Sequence, residues 1–363
     1  MLRSLLLTAA AGTAAGALPD CSAQSRPGAE PVRTQAGPTG PMLTPQASGT
    51  TNRLQAISAV SPRIAWASGV GGTFVVTTDG GESWRAGVVP GAERLELRDV
   101  EAVSAEVAYL LAAGTGTDSR IYRTGDGGAT WALQFQNQDP AAFFDCFAFW
   151  TPRRGIAFSD AVQGRFPVLR TTDGERWTDI GDRLPGAQPG EAAFAASGTC
   201  VTTHAGDLGW VVTGGAEKAR VLATTDGGDS WEAHQTPILQ GREGVGGFSI
   251  DFRDPLHGIL AGGDLAAVGV PTDNVAVSED GGRTWRTAAP TPFPGPAYGL
   301  SYLPGPGQRT VVVTGPGGAA WSPDEGGSWT LLPGVEHYWA VAFADSRVGW
   351  LVGTEGRILK LGF

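Results

Sequence analysis

The chain has 363 residues; glycine and proline together make up about 22% of them, well above the roughly 12% of average usage, while charged residues are only 17%. A hydrophobic fraction of 41% excludes a disordered chain, and the many glycines and 12 tryptophans favour short strands joined by tight turns over a helical bundle. The formal net charge of −10 would repel phosphates and argues against nucleic acid as a main partner.

The N-terminus predicts export. A positively charged start is followed by the uncharged apolar stretch Ser4–Leu18, which is shorter than the ~20 residues needed to cross a bilayer. We therefore interpret residues 1–23 as a signal peptide cleaved after Ala23. No later stretch is apolar enough to span a membrane, so we expect an exported, periplasmic or extracellular protein.

Two further features lie near this segment. Cys21 stands three residues after a leucine, as in lipoproteins, although Asp20 occupies a place where a small residue is expected. Lipidation at Cys21 is therefore an alternative to a soluble mature chain. Residues 24–45 are rich in Pro, Gly, Thr and Gln without an apolar period, which predicts a flexible linker.

One eight-residue phrase then recurs through the chain, with the pattern Ser/Thr-x-Asp-x-Gly-x-Ser/Thr-Trp or a close variant. Its five full copies and one copy that is a residue shorter are Thr77–Trp84, Thr124–Trp131, Thr224–Trp231, Ser278–Trp285, Ser322–Trp329 and the shorter Thr171–Trp177. Successive aspartates are 47, 47, 53, 54 and 44 residues apart, a spacing typical of propeller blades.

The chemistry of the phrase predicts a hairpin turn. The aspartate can accept hydrogen bonds from backbone N–H groups just ahead of it, glycine supplies positive φ, and the hydroxyl satisfies a further polar group. The tryptophan starts the next strand and packs against its neighbours. We therefore assign a structural role to Asp79, Trp84, Asp126, Trp131, Asp173, Trp177, Asp226, Trp231, Asp280, Trp285, Asp324 and Trp329.

Each unit also contains two earlier strands, as in Leu97–Val103 followed by Val107–Ala112. The other first strands are predicted near Leu54, Phe144, Ala193, Phe248, Tyr298 and Trp339. The second strand often carries an aromatic residue at one matching position, which we interpret as a core anchor: Trp66, Tyr109, Trp210 and Trp350.

Seven such strand pairs but only six phrases are present, because the last unit, Trp339–Leu361, has three strands. A strand within residues 42–50 can supply the fourth by pairing with Arg357–Leu361, and closure of the ring removes exposed edges. The prediction is an all-β fold: a seven-bladed β-propeller of four-stranded antiparallel blades over residues 46–363, closed by an N-terminal strand.

The recurring phrase resembles the Asp-box, or bacterial neuraminidase repeat. Exported chains of this length with six or seven such repeats are similar to the photosystem II stability and assembly factor family, and the likeness covers about Ala47 to Phe363. The resemblance implies a non-enzymatic propeller that serves as an assembly platform for a protein partner. It does not carry a photosystem role to this chain, because the motif is an element of the fold.

Sialidases share the Asp-box, but their site has no clear counterpart in this sequence. Their early Arg-Ile-Pro motif has only a misordered counterpart at Pro62–Ala65, and the chain has five tyrosines, of which Tyr109 is a predicted core anchor. A sialidase site is therefore not supported. Other glycoside hydrolases need two carboxylates flanking the substrate, which sequence alone does not exclude.

A binding site is expected where the first strands begin, on the face away from the Asp turns. Alignment of these strands places one residue of each unit in a ring: Gln55, Arg98, Asp145, Phe194, Phe248, Tyr298 and Trp339. With neighbouring residues and two long loops, the candidates are Arg53, Arg98, Asp145, Asp160, Arg165, Glu191, Asp251, Asp264, Tyr298 and Trp339. The alternative is that the charged members only hydrate a channel and that the aromatic members only pack between blades.

The cysteines and histidines indicate no cofactor. Cys146 and Cys200 lie in neighbouring units, where a disulfide is an option and two separate buried thiols are the favoured expectation. The four histidines have no metal-ligand spacing, and we expect neither a metal nor another cofactor.

These observations favour an exported, monomeric, non-enzymatic propeller that acts as a scaffold and binds a protein or another extracellular ligand, such as a glycan. The alternative is a carbohydrate-active enzyme that uses carboxylates of the channel face, such as Asp145 and Glu191.

Overall fold

A computed structural model describes residues 40–270 and 274–363. The predicted signal peptide, Cys21 and residues 24–39 of the predicted linker lie outside the described residues. Within the described part, no helix is both long enough and apolar enough to cross a membrane.

The described chain forms seven sheets of four antiparallel strands, which confirms the predicted seven-bladed β-propeller. Blade 1 contains β2 (Leu54–Ser61), β3 (Ile64–Gly69), β4 (Thr73–Thr77) and β5 (Arg85–Val88). Blade 2 contains β6 (Leu97–Ala102), β7 (Ala108–Ala112), β8 (Arg120–Thr124) and β9 (Ala132–Gln136). Blade 3 contains β10 (Phe144–Thr151), β11 (Arg154–Ser159), β12 (Val168–Thr171) and β13 (Thr178–Asp179). Blade 4 contains β14 (Val201–His204), β15 (Leu208–Val212), β16 (Arg220–Thr224) and β17 (Glu232–Gln235). Blade 5 contains β18 (Val245–Phe252), β19 (Gly258–Asp264), β20 (Val275–Ser278) and β21 (Arg286–Thr287). Blade 6 contains β22 (Gly299–Tyr302), β23 (Val311–Gly315), β24 (Gly318–Ser322) and β25 (Thr330–Leu331). Blade 7 contains β26 (Tyr338–Phe343), β27 (Val348–Gly353), β28 (Arg357–Gly362) and the N-terminal strand β1 (Met42–Ala47). Short 3-10 turns occupy Gly116–Asp118, Gly181–Arg183 and Thr354–Gly356.

The ring closes through the N-terminal strand. β1 pairs antiparallel with β28, from Met42 opposite Gly362 to Ala47 opposite Arg357. The side-chain oxygen of Gln46 accepts hydrogen bonds from the indole N–H groups of Trp84, in blade 1, and Trp350, in blade 7. The closing strand therefore joins the first blade to the last. Because it starts at Met42, it takes in the last residues of the range 24–45 assigned to the linker.

The recurring phrases form turns between the third and fourth strands, with one shared bonding pattern. In blade 4, the Thr224 hydroxyl accepts the Gly228 N–H at 3.0 Å, and Asp226 accepts both the N–H and the hydroxyl of Ser230, at 2.9 and 2.6 Å. The shorter copy in blade 3 keeps the carboxylate role, since Asp173 accepts the N–H groups of two residues that follow it. The turns satisfy backbone groups that the hairpin leaves unpaired.

The repeated aromatic residue of the second strand is buried in each of the four blades where it was predicted. Trp66 and Trp350 are fully buried, and Tyr109 and Trp210 nearly so. Several of these rings contact a tryptophan that closes an Asp turn; the ring centroids of Trp84 and Trp350 are 6.4 Å apart, edge to face. The core is thus a series of layers between blades, each fixed by aromatic rings.

Blade 4 departs from the predicted pattern. Its inner strand begins at Val201, whereas the sequence placed the start near Ala193. Residues 193–200 are irregular, with a tight turn in which the Ala196 N–H bonds to the Phe194 carbonyl, and with Gly198 at φ +78°. The Asp99 carboxylate of blade 2 occupies the space beside Gly198 that a side chain would need. This segment therefore folds over the channel instead of forming a strand.

Candidate binding cavity at the channel mouth

The antiparallel order of the strands gives the ring two faces. The Asp turns lie where the inner strands end, which we call the Asp-turn face. The inner strands begin on the opposite side, the mouth face, together with the loops that join second to third strands. The candidate site lies on the mouth face.

A β-bulge occurs near the start of the inner strand in blades 1, 2, 3, 5 and 7. The extra residues in these bulges are Gln55, Arg98, Asp145, Phe248 and Trp339. A bulge redirects a side chain and interrupts the strand ladder, which is why bulges are common next to functional sites. Together with Phe194 and Tyr298, which precede β14 and β22, these are the seven residues that the sequence alignment placed in one ring; we call them the mouth ring.

Blades 4 to 7 supply the aromatic half of this ring. The ring centroids of Phe194 and Phe248 are 4.5 Å apart, those of Phe248 and Tyr298 6.1 Å, and those of Tyr298 and Trp339 4.8 Å. The Arg53 guanidinium lies over Trp339, 4.7 Å from its ring centroid, as a cation–π contact. Tyr298 and Trp339 thus pack between blades, as the alternative interpretation held, and they also line a cavity.

Blades 1 to 3 supply the polar half. The Glu96 carboxylate pairs with both arginines; it lies 3.4 Å from Arg53 Nη2 and accepts a hydrogen bond from Arg98 Nε at 2.8 Å. Arg98 also donates to the Ala195 carbonyl at 3.3 Å, and so reaches from blade 2 to the irregular segment of blade 4. The arginines of this half are therefore held by contacts within the protein.

Asp145 and Asp160 form a buried acid pair in the same half. Asp145 is 2% exposed, and Asp160 accepts the Ala193 N–H at 3.0 Å. Burial raises the pKa of both groups, for Asp160 to about 7, and the Asp160 carboxylate raises the pKa of Asp145 further. Two carboxylates so close cannot both ionise easily, so the pair shares a proton near neutral pH.

A cavity of about 360 Å³ opens between the two halves, and Arg98, Asp145, Asp160, Phe194, Tyr298 and Trp339 are among its lining residues. Its size and its mixture of apolar wall and few polar groups are those of a ligand pocket. The buried amide of Gln55, also in the mouth ring, has no hydrogen-bond partner within residues 40–270 and 274–363. Buried polar atoms of this kind are rare, and three of the six described residues that carry them, Arg53, Gln55 and Asp145, lie at the mouth.

Four predicted candidates lie elsewhere or are occupied. Arg165 turns outward and pairs with Asp179 and Asp182 of its own blade, at 2.7 and 2.6 Å. Glu191 is buried and fully engaged by Arg220, Thr213 and the backbone N–H of Gln188. These residues are therefore not available to a ligand in the cavity.

Asp251 and Asp264 are likewise satisfied inside the protein. Asp251 lies near the far end of its inner strand and accepts the N–H groups of Phe252 and Tyr302, at 2.8 and 2.9 Å. Asp264 is 4% exposed and is paired with Arg242, while the next residue, Leu265, lines the cavity. Sequence position placed them on the channel, but strand direction and pairing remove them from the site.

The structure corrects the expectation for the cysteines and adds residues to the site. Cys146 and Cys200, fully buried, form a disulfide with a Cα–Cα separation of 6.1 Å, so the expected separate thiols are wrong. The bond fixes the irregular segment of blade 4 to the strand that carries Asp145. Glu96 and Glu243 were not predicted; the position of Glu96 two residues before Arg98 was the one available signal.

Within the part of the chain that the structure describes, no group of three or more His, Cys, Asp or Glu is placed to hold a metal ion.

Comparisons with known proteins support the fold. No protein-family model matches the chain, and no curated protein matches its sequence. Among solved structures, YCF48 bound to D1 peptide is 15% identical, with 90% of this chain and 98% of that chain covered and a TM-score of 0.62. YCF48 from Cyanidioschyzon merolae is 17% identical (88% and 98% covered, TM-score 0.60), and virginiamycin B lyase from Staphylococcus aureus 13% identical (89% and 99% covered, TM-score 0.64). At these identities the likeness shows a shared propeller fold alone and gives no evidence about activity.

Proposed function

We propose that this protein is an exported, non-enzymatic binding propeller that holds a peptide segment of a protein partner in the cavity of the mouth face. The observation that carries the proposal is the mouth ring itself. Five of its seven side chains, from blades 2, 3, 4, 6 and 7, line one cavity, and three of these five are aromatic. Such a mixture suits a ligand that has both apolar and polar groups, as a peptide does.

Two further facts support a peptide. The propeller of similar fold named YCF48 has been solved with a D1 peptide bound. In this chain the loop after β19 carries exposed apolar side chains, Leu265 (42% exposed), Val268 (52%) and Val270 (56%), and Leu265 lines the cavity. Exposed apolar side chains next to a pocket are typical of surfaces that bind proteins.

A glycoside hydrolase is the second candidate, and the geometry of the acids argues against it. Glu191, one of the two carboxylates considered for catalysis, is engaged by Arg220. Asp145 and Asp160 are close enough to hydrogen-bond to each other, whereas retaining enzymes need about 5 Å between the two carboxyl groups and inverting enzymes need more. The acid pair therefore fits binding better than glycoside cleavage.

The disulfide supports export. Cytosolic reductants keep most thiols reduced, and Cys146–Cys200 is a buried cross-link of the kind found in oxidising compartments. We infer that the protein acts outside the cytoplasm, in agreement with the N-terminal segment. Cell fractionation, with mass analysis of the mature N-terminus and of the cysteines, tests this directly; a cytosolic protein with free thiols would contradict it.

The binding proposal is tested by selecting a phage library of random heptapeptides on the purified protein, on Trp339→Ala and on Leu256→Ala. Leu256 is 51% exposed on the Asp-turn face and is the matched control. We expect enrichment on the wild type and on Leu256→Ala, with loss on Trp339→Ala at an unchanged fold by circular dichroism. Selection that persists on Trp339→Ala would place binding elsewhere. Turnover of any member of a glycan panel, abolished by Asp145→Asn, would favour the enzyme.

A further inference from the structure

We propose that the mouth cavity takes up a cationic side chain of the bound peptide, a lysine ammonium or an arginine guanidinium, and seats it against Asp145 and Asp160. This inference rests on the proposed function and specifies its ligand: a peptide in which one basic residue is flanked by apolar residues.

The first observation is that the acid pair has no ion-pair partner. Within the described residues, no cationic group lies within 4.0 Å of either carboxylate, although the more distant Arg98 lowers the pKa of Asp145, and Asp145 Oδ2 has no hydrogen-bond donor although Asp145 is 2% exposed. Two other buried acids are paired with arginines: Glu191 with Arg220, and Asp264 with Arg242. A buried carboxylate without compensation is costly, and a cation supplied by a ligand would remove that cost.

Compensation by backbone groups does not change this contrast. Asp99, deeper in the channel, accepts the N–H groups of Val100 and Phe147, at 2.7 and 2.8 Å. Asp251 is bonded to two backbone N–H groups in the same way. The Ala195 N–H lowers the pKa of Asp145 in a similar way, but Asp145 Oδ2 has no hydrogen-bond donor within the described residues and is left for a ligand.

The second observation is that the neighbouring arginines are already engaged. Arg98 donates to Glu96 and to the Ala195 carbonyl, and Arg53 is held between Glu96 and the face of Trp339. Two arginines thus face four acids around the mouth: Glu96, Glu243, Asp145 and Asp160. Even with one proton on the acid pair, the acids outnumber the bases by one, and a cavity with this balance attracts cations.

The third observation is the wall of the cavity. Lysine and arginine carry an aliphatic stem below the charge, and such stems pack on apolar surface while the charged end reaches a polar group. Phe194 and Tyr298 offer that surface next to the acid pair, and aromatic faces also attract cations directly. Leu265, 42% exposed, adds to the apolar lining, where a flanking apolar residue of the peptide would lie.

The test uses four capped peptides, Ac-Gly-Leu-Xaa-Leu-Gly-NH₂, with lysine, arginine, norleucine or glutamate at Xaa, titrated calorimetrically into the purified protein. Norleucine keeps the stem of lysine and removes the charge. We expect the lysine and arginine peptides to bind about tenfold more tightly than the norleucine peptide, a difference of about 1.4 kcal/mol, because a hydrogen bond to a charged group is stronger than one between neutral groups. The glutamate peptide should bind more weakly than all of them.

The protein side of the test is Asp145→Asn and Asp160→Asn, each of which keeps shape and removes charge. Each single variant leaves one carboxylate and should weaken the lysine peptide only in part, whereas the double variant Asp145→Asn/Asp160→Asn should reduce it to the affinity of the norleucine peptide, which itself should not change. Asp118→Asn is the matched control, since Asp118 is an exposed acid of the mouth face in blade 2 and should leave the preference intact. If one variant fails to fold, the others and the peptide series still decide the question.

The outcomes separate the two proposals. Equal affinity for lysine and norleucine peptides on the wild type would overturn the cationic ligand and leave peptide binding standing. A lysine preference that survives the double variant would overturn the assignment to the acid pair. No binding by any of the four peptides, together with no selection in the phage experiment, would overturn the proposed function itself.

Discussion

The Asp turns occur in six of the seven units and the mouth ring takes one residue from each unit, yet the two regions differ in chemistry. The Asp turns repeat one set of hydrogen bonds in five blades and a shortened form of it in a sixth. The mouth ring has Gln, Arg, Asp, Phe, Phe, Tyr and Trp at corresponding positions. Residues that repeat with the blades serve the fold, and residues that vary while the backbone around them repeats are free to serve a ligand.

The pKa values of the carboxylates in the two regions are also shifted in opposite directions. At the Asp turns, hydrogen bonds from Thr130 lower the pKa of Asp126 to about 2, because they favour the charged form. At the mouth, burial raises the pKa of Asp160 to about 7. The ionised acids of the Asp turns therefore stabilise the folded protein, whereas ionisation of the acids at the mouth destabilises it.

The largest effect is expected from opening the ring on which both regions depend. Deletion of residues 1–50 removes β1, and with it the ladder to β28 and the Gln46 contacts to Trp84 and Trp350. An exposed edge remains on blade 7, so we expect aggregation or loss of cooperative melting by calorimetry.

Deletion of residues 1–39 is the matched control for this experiment, because it leaves the closing strand complete. That variant should melt as the full chain does. A soluble, cooperatively melting protein without residues 1–50 would show that the ring does not need the strand.

The second prediction concerns the covalent bond beneath the mouth ring. The disulfide spans a sequence separation of 54 residues, and constraint of the unfolded chain by a loop of that length is worth about 4 kcal/mol. We expect Cys146→Ala/Cys200→Ala to lose close to this amount of unfolding free energy in a denaturant titration, and reduction of the wild type to have the same effect. A loss below about 1 kcal/mol would show that the blades alone hold the segment.

The different character of the two regions decides what the sequence could predict. The Asp turns are local, since each contact lies within a few residues of the next, so the repeated phrase predicted the turns, the blade count and the closing strand. The ring positions followed from aligning the strands, and Asp145, Arg98, Tyr298 and Trp339 were found in this way.

The errors concern contacts between residues far apart in sequence. The pairing of Glu191 with Arg220 spans 29 residues, and no pattern in the sequence signals it. The disulfide depends on the path of residues 193–200, where Gly198 has positive φ and packs against Asp99 of another blade. Such packing is set by tertiary context, which local propensity does not encode.

The third prediction compares one acid from each region by the same substitution. Asp226→Asn removes the charge that accepts the N–H and hydroxyl of Ser230, and we expect a loss of about 1–2 kcal/mol in unfolding free energy because this turn is partly solvent-exposed. Asp145→Asn should cost less than about 0.5 kcal/mol, since a buried acid that resists ionisation is replaced by a neutral amide of the same shape.

Denaturant titrations at pH 7 measure both variants side by side. Peptide binding should show the reverse order, with Asp226→Asn unchanged and Asp145→Asn impaired. Equal destabilisation by the two substitutions would mean that Asp145 is a structural residue like Asp226.

The last prediction concerns the pH dependence of stability. The pKa of Asp160 is raised from 3.8 to about 7 by burial, so the folded state holds a proton that the unfolded state releases above pH 4. Its contribution to stability is therefore fully present below pH 4 and is lost as the pH rises through 7. Asp160→Asn removes this titrating group, so its unfolding free energy should rise relative to that of the wild type, by up to about 2.5 kcal/mol between pH 5 and pH 8.

Asp226→Asn gives the opposite sign and serves as the control for this measurement. Because the pKa of Asp226 is lowered in the folded state, its stabilisation is present above pH 4 and is lost as the pH falls below it. The gap between Asp226→Asn and the wild type should therefore stay constant from pH 5 to pH 8 and narrow only in acid. If the difference in unfolding free energy between Asp160→Asn and the wild type were also constant from pH 5 to pH 8, the pKa of Asp160 would not be raised by burial. The opposite pKa shifts that distinguish the acid pair from the Asp turns would then not hold.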